Sequence, residues 1–168
     1  MLATIGYERA EIDDFIATLG ACDIDVLVDI RDRAQSRRPG FSKSALSNAL
    51  AEAGIEYLHY KELGDPKEGR DAARRGDYDA FRQIFSAVMA SDAAKKALND
   101  LKKLASSQSI CLMCFERDQL QCHRKIVSEY LEASLSVKAR HLGVSKDASR
   151  KGAARRVRYL DQGAAASF

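Results

Sequence analysis

The chain has no tryptophan, only two prolines and three histidines, and four cysteines in 168 residues. Four cysteines (Cys22, Cys111, Cys114 and Cys122) are too few for the disulfide-dense scaffold on which small secreted domains rely, and reduced thiols fit a cytoplasmic setting. No apolar run approaches the ~20 residues that a membrane span requires, so no membrane partner is expected. The opening MLATIGYERAE lacks a basic segment followed by a long apolar one, which argues against a secretory leader. A disordered chain would be poorer in apolar residues than 46% and would carry more net charge than +3. The composition therefore suits one soluble domain with a substantial core, and no internal repeat divides it.

Charge is unevenly spread. Residues 138–168 hold eight Lys or Arg against Asp147 and Asp161, a formal +6, which leaves the preceding residues at −3. A basic end on a mildly acidic body suggests contact with a polyanion, and nucleic acid is the commonest one in cytoplasm. The expected organisation is a domain over 1–143 followed by a basic, flexible tail over 144–168.

Apolar runs alternate with helical patterns along the chain, the signature of α/β layers. LATIGY reads as a first strand. EIDDFIATLGA places Ile12, Phe15, Ile16 and Leu19 on one helical face, with Gly20 as its stop. DIDVLVDIR is apolar on both faces, as a central parallel strand covered by helices must be. SKSALSNALAEAG is a helix capped by Ser42 or Ser44 and ended by Gly54, and IEYLHY is a third strand. Two helices follow over 78–90 and 91–104. SICLMCFE is a fourth strand, QCHRKIVSEYLEA a helix, and SVKARHLG a last strand. This order predicts a mostly parallel sheet with helices on both faces, a three-layer α/β domain.

In such sheets ligands bind outside the carboxyl ends of the strands. Those ends carry Gly6, Tyr7 and Glu8, then Asp29, Arg31 and Arg33, then His59, Tyr60, Glu62 and Gly64, then Cys114, Glu116 and Arg117. Side chains at i and i+2 of a strand share a face, so Asp29 points with Arg31 and Cys114 with Glu116. Cys111 and Cys114, three apart, point to opposite faces, which makes Cys111 a core residue and gives Cys22 the same reading. Zinc on Cys114, Cys122 and His123 requires the loop between them to fold back and has no obvious fourth ligand, so neither a metal nor another cofactor is expected. Cys122, His123 and Arg124 open a helix whose free amides suit an anion. The loop RDRAQSRRPGFSK turns at Pro39 and Gly40 and looks like a phosphate-contacting segment, with Phe41 or Tyr60 available to stack on a base.

TIGYE, VLVDIR, SRRPGFSK, YLHYKELGDP and above all CFERDQLQCHR resemble domain-of-unknown-function family 488, small bacterial and archaeal α/β proteins. The similarity runs from Thr4 to Leu131. Phe115 stands where the family usually has Ala. Arg9 stands where it usually has Gly, so the first loop is expected to be shaped differently. The resemblance implies a shared site at the positions above and supplies no reaction.

Three functional classes fit these residues. The favoured one is a metal-independent hydrolase of nucleic acid or a nucleotide that cleaves an N-glycosidic bond. Its catalytic candidates are Asp29, Glu116, His123 and Cys114. Tyr7, Arg31, Arg37, Arg38, Phe41, His59, Arg117, Cys122 and Arg124 would bind substrate and phosphate. The alternatives are a rhodanese-like sulfurtransferase or redox enzyme using Cys114 or Cys122, and a nucleic-acid binder without turnover. FERDQ after Cys114 lacks the glycine that lets backbone amides encircle a persulfide.

Overall fold

The computed structural model describes residues 1–151. Five parallel strands, β1 (Leu2–Gly6), β2 (Val26–Asp29), β3 (Glu56–His59), β4 (Ile110–Cys114) and β5 (Arg140–Leu142), form one sheet in the order β3-β2-β4-β1-β5. The helices are α1 (Ile12–Ala21), α2 (Lys43–Glu52), α3 (Lys67–Arg74), α4 (Tyr78–Ala90), α5 (Asp92–Ser107) and α6 (Arg124–Leu135). None is long and apolar enough to cross a membrane.

The chain steps from β1 past the β4 position to β2 and on to β3, then reverses, returning to β4 and passing β1 to reach β5. Right-handed crossovers put helices on opposite faces for opposite directions of travel. One core accordingly joins Ala3, Ile5, Leu27, Cys111 and Met113 to Phe15, Leu19, Leu46 and Leu50 of α1 and α2. The other joins Leu2, Val26, Val28, Ile110 and Leu112 to side chains of α3, α4, α5 and α6, among them Phe85, Leu98 and Val127. The central strands β1, β2 and β4 are buried along their whole length, while the edge strands β3 and β5 are not. Cys111 and Cys114 thus face opposite layers, as their spacing requires.

One helix limit and one whole helix differ from the sequence reading. Gly20 lies inside α1, and Asp23, at φ +51°, turns the chain instead. The segment KEGRDAAR forms α3, a helix that periodicity does not reveal because its buried positions are only Gly69 and Ala72. Arg9 adopts φ +62°, the left-handed conformation that favours glycine. Residues 144–151 fold back on α1, where the Asp14 carboxylate accepts from the amides of Asp147 and Ser149 and from the Ser149 hydroxyl. The rest of the basic tail, 152–168, lies outside the described residues.

The register aligns Gly6 with Cys114, and Asp29 with both His59 and Met113, so four strands end at one edge. β1 and β4 are neighbours whose following helices lie on opposite faces, and the crevice opens between them. Gly6 permits this closeness: a Cβ there would overlap the Glu116 carbonyl oxygen and crowd the Arg124 guanidinium. Gly6→Ala should therefore lower unfolding free energy by about 1–3 kcal/mol in urea titration. Arg9→Gly should be more stable than Arg9→Ala by about 1 kcal/mol in the same measurement, since only glycine is unstrained at that φ.

Candidate active site

A cavity of about 950 Å³ occupies the crevice. Its walls come from the ends of β1, β2 and β4, the loop 31–39, Asp65 and α3. Seven arginines (Arg9, Arg31, Arg33, Arg37, Arg38, Arg70, Arg74) line it against four carboxylates (Glu8, Asp32, Asp65, Glu116), an excess of positive charge suited to an anionic ligand.

These arginines are not equivalent. Arg31, 6% exposed, donates from Nε and Nη2 to the two oxygens of Asp29, at 2.9 and 2.6 Å, and from Nη1 to the Tyr7 hydroxyl and the Phe41 carbonyl. Burial works against its charge, but the bonds to Asp29 prevail and raise its pKa further. Arg38 holds the loop to the start of α1 through the Ala10 carbonyl and Glu11. Arg70 bridges the Asp65 carbonyl and Asp32. Arg33 and Arg37, both exposed, form no ion pair among the described residues and remain available to a ligand.

Several expected site residues are employed elsewhere. Asp29 is fully buried, accepts from Arg31 and from the Tyr57 hydroxyl at 2.6 Å, and does not line the cavity. Its carboxylate positions Arg31. Burial and the bond to Asp29 push the Tyr57 hydroxyl's pKa up, which keeps it a donor. Phe41 is wholly buried, stacked on Tyr7 at 4.5 Å and edge-on to Phe15, so no base can stack on it. Tyr60 packs against the core. His59 bonds the Arg31 carbonyl at 2.8 Å and also lies off the cavity. Arg124, 1% exposed, is not a phosphate ligand: Nη1 and Nη2 donate to the carbonyls of Glu116 and Arg117, fixing the loop after β4. Arg117 is exposed beside a smaller hollow with Glu8, and its amide donates to Glu8.

The cavity does collect Tyr7, Cys114, Glu116 and His123. His123 sits at the N-cap of α6, 4% exposed, with Nε2 2.8 Å from the Ile30 carbonyl and its ring tilted against Phe85. A carbonyl only accepts, so Nε2 carries the proton and Nδ1 faces two sulfurs, Cys114 Sγ at 3.7 Å and Cys122 Sγ at 3.9 Å. The three ligating atoms lie within 4.8 Å of one another. Burial, reinforced by Cys114, raises the Cys122 thiol well above its ordinary pKa. Burial opposes charge on His123, yet Cys122, the Ile30 carbonyl and Asp65 together raise its pKa. Glu116 Oε2 is 3.5 Å from Cys114 Sγ.

Three further residues belong to the site. Asp65, 6% exposed, has an Oδ1 without a hydrogen-bond partner among the described residues, and burial raises its pKa to about 6 against the opposing pull of His123 and Arg70. Gly69 makes room for that oxygen, because a Cβ there would overlap it. The signal for Asp65 lay in YLHYKELGDP, which carries the resemblance but no periodicity. Arg70 was missed together with α3. Phe115, 44% exposed and edge-on to Tyr7 at 5.3 Å, is the aromatic that the cavity actually presents.

The family described as Domain of unknown function DUF488 matches residues 11–131, most of the chain. The protein belongs to it. No curated protein and no solved structure matches. The matched stretch of this DUF488 chain contains every cavity residue except Tyr7, Glu8 and Arg9.

The role of Asp29 is directly testable. Asp29→Asn leaves a buried guanidinium short of its counter-charge and should cost about 3–5 kcal/mol in denaturant unfolding, whereas a purely catalytic carboxylate would leave stability unchanged.

Proposed function

We propose that the chain is a hydrolase acting on nucleic acid or a nucleotide in a cytoplasmic setting, cleaving an N-glycosidic bond with Asp65 and Glu116 as its working carboxylates. The observation that carries this reading is Asp65: a buried carboxyl with a free oxygen and a pKa raised to about 6, on the wall of an arginine-lined cavity. Perturbed carboxyls in clefts mark acid-base sites. A pair held in different environments divides the acid and base roles. Asp65, protonated below about pH 6, donates to the departing base. Glu116 orients water and offsets charge on the sugar as the bond breaks. Arg33 and Arg37 take phosphate, and Phe115 offers a face to the base. About 950 Å³ is room enough for one nucleotide.

Oligonucleotides with normal and modified bases, incubated with protein and then treated with alkali, test the reaction through strand cleavage. Gel shifts without cleavage would favour a binder, and turnover of thiosulfate would favour cysteine chemistry. Glu116→Gln and Asp65→Asn should each lower kcat by about 10²–10⁴ with little change in affinity. The kcat/KM should fall as pH rises through about 6 where Asp65 must hold its proton, and this limb should vanish in Asp65→Asn. The folded-state pKa lies above the ordinary 3.8, so the carboxyl favours folding at acid pH and that benefit is lost as pH rises through about 6. At pH 7 Asp65→Asn should consequently unfold no more readily than the parent. Arg33→Ala and Arg37→Ala should each weaken binding across all sequences and reduce the slope of log affinity against log salt by about 1.

A further inference from the structure

The groups around His123 fit a ligand that the proposed acid-base chemistry does not use. We propose that Cys114, Cys122 and His123 form a metal site that takes zinc, with its open position towards the cavity.

The argument begins with one nitrogen. With Nε2 donating to Ile30, the lone pair that the neutral ring offers a metal is at Nδ1, and the Ile30 carbonyl and the Phe85 ring together fix where it points. Two thiols face it at 3.7 and 3.9 Å. One nitrogen facing two sulfurs cannot bond both equally, and both distances are long for hydrogen bonds. They are the right size for a shared ion. With Zn–S about 2.3 Å and Zn–N about 2.05 Å, a tetrahedral centre separates sulfur from nitrogen by about 3.5 Å and sulfur from sulfur by about 3.8 Å. The two sulfur–nitrogen distances are a few tenths of an ångström from that cradle, and all three atoms lie within 4.8 Å of one another, so closing on an ion needs only a small inward movement of the thiols.

The surroundings agree. A ligating histidine commonly donates its second nitrogen to a carbonyl, which selects the tautomer and aims the ring. Two thiolates and one imidazole prefer zinc to the hard cations that carboxylates and carbonyls collect. Cys114 and His123 line the large cavity, and Cys122 and His123 a contiguous hollow that also includes Glu116 and Asp65. No other His, Cys, Asp or Glu joins the group among the described residues, so the fourth direction is left to water or substrate. Three protein ligands with one open position is the pattern of a catalytic rather than a structural zinc. Binding displaces protons from the ligands and leaves two thiolates and a neutral imidazole around one divalent ion, a site with no net charge. The site rests on this geometry, and its use rests on the hydrolase reading: a zinc-bound water would be the nucleophile beside Glu116.

The test is metal content and cobalt spectroscopy on the full chain. Protein produced with zinc and dialysed should hold about one equivalent by elemental analysis, and the apo form should release protons when titrated with zinc. Cobalt(II) should give thiolate-to-metal charge-transfer absorption and tetrahedral visible bands. Cys122→Ser should lose both, and Cys22→Ser, away from the site, should keep them. If Cys122→Ser does not fold, the cobalt spectrum and zinc content of the parent protein decide alone. Sub-stoichiometric zinc together with a cobalt spectrum lacking charge-transfer bands would overturn the site. Stoichiometric zinc without turnover of any oligonucleotide would leave the site standing and remove the hydrolase reading. Turnover in metal-free protein would keep the hydrolase reading and overturn zinc-bound water as its nucleophile.

Discussion

The cavity depends first on the ion pair between Asp29 and Arg31, whose closest atoms are 2.6 Å apart and which is almost wholly out of water. Neither charge is stable there alone, since removing a single ion from water costs far more than one contact returns. The fold answers by surrounding both. Tyr57 of β3 donates to Asp29, Tyr7 beyond β1 accepts from Arg31, and the Phe41 carbonyl brings in the loop before α2. One ion pair therefore ties together β1, β2 and β3 and the loop that carries the remaining arginines. The stacking of Tyr7 on Phe41 and of Phe41 against Phe15 extends the same fixture into the core.

A second buried cation does similar work on the opposite wall. Arg124 has no carboxylate partner among the described residues and is neutralised only by carbonyl dipoles of the loop after β4. That loop must pass close to β1, which is why Gly6 lies beneath it. Positive charge at this site thus falls into two kinds. Arg31, Arg38 and Arg124 are tied to the protein through their guanidinium groups and give the cavity its shape. Arg33 and Arg37 reach solvent and give it its field. Only the second kind has capacity for a ligand.

The strand parity of β4 separates the two thiols that its sequence places three apart. Cys111 enters the α1 and α2 layer, where burial pushes its thiol well above the ordinary range. Cys114 meets His123 and Cys122 instead, because the short loop after β4 folds back and sets the start of α6 over the strand end. Asp65 arrives from a different direction, at the start of α3, and its carboxyl shares the field of His123 and Glu116. Groups distant in sequence become neighbours because parallel strands all deliver their loops to one edge.

The sequence by itself determined the layers and the place of the site. Apolar runs and period-3.6 patterns read correctly for five strands and five helices, because the central strands are covered on both faces and those helices each bury one. The converging strand ends followed from parallel topology alone, and the opposite directions of Cys111 and Cys114 followed from pleat geometry. Tertiary structure decided which polar residues are free. Asp29 and Glu116 look alike in sequence, each an acid at a strand's end, yet one is surrounded by donors and the other faces the cavity. Arg124 and Arg37 differ in the same way, as do Phe41 and Phe115. No local pattern encodes that difference, because whether a charge or ring is spent inside the protein depends on partners contributed by other strands. Helix α3 and Asp65 escaped for a related reason: small buried residues leave no apolar rhythm, and a carboxyl's pKa is set by what closes over it.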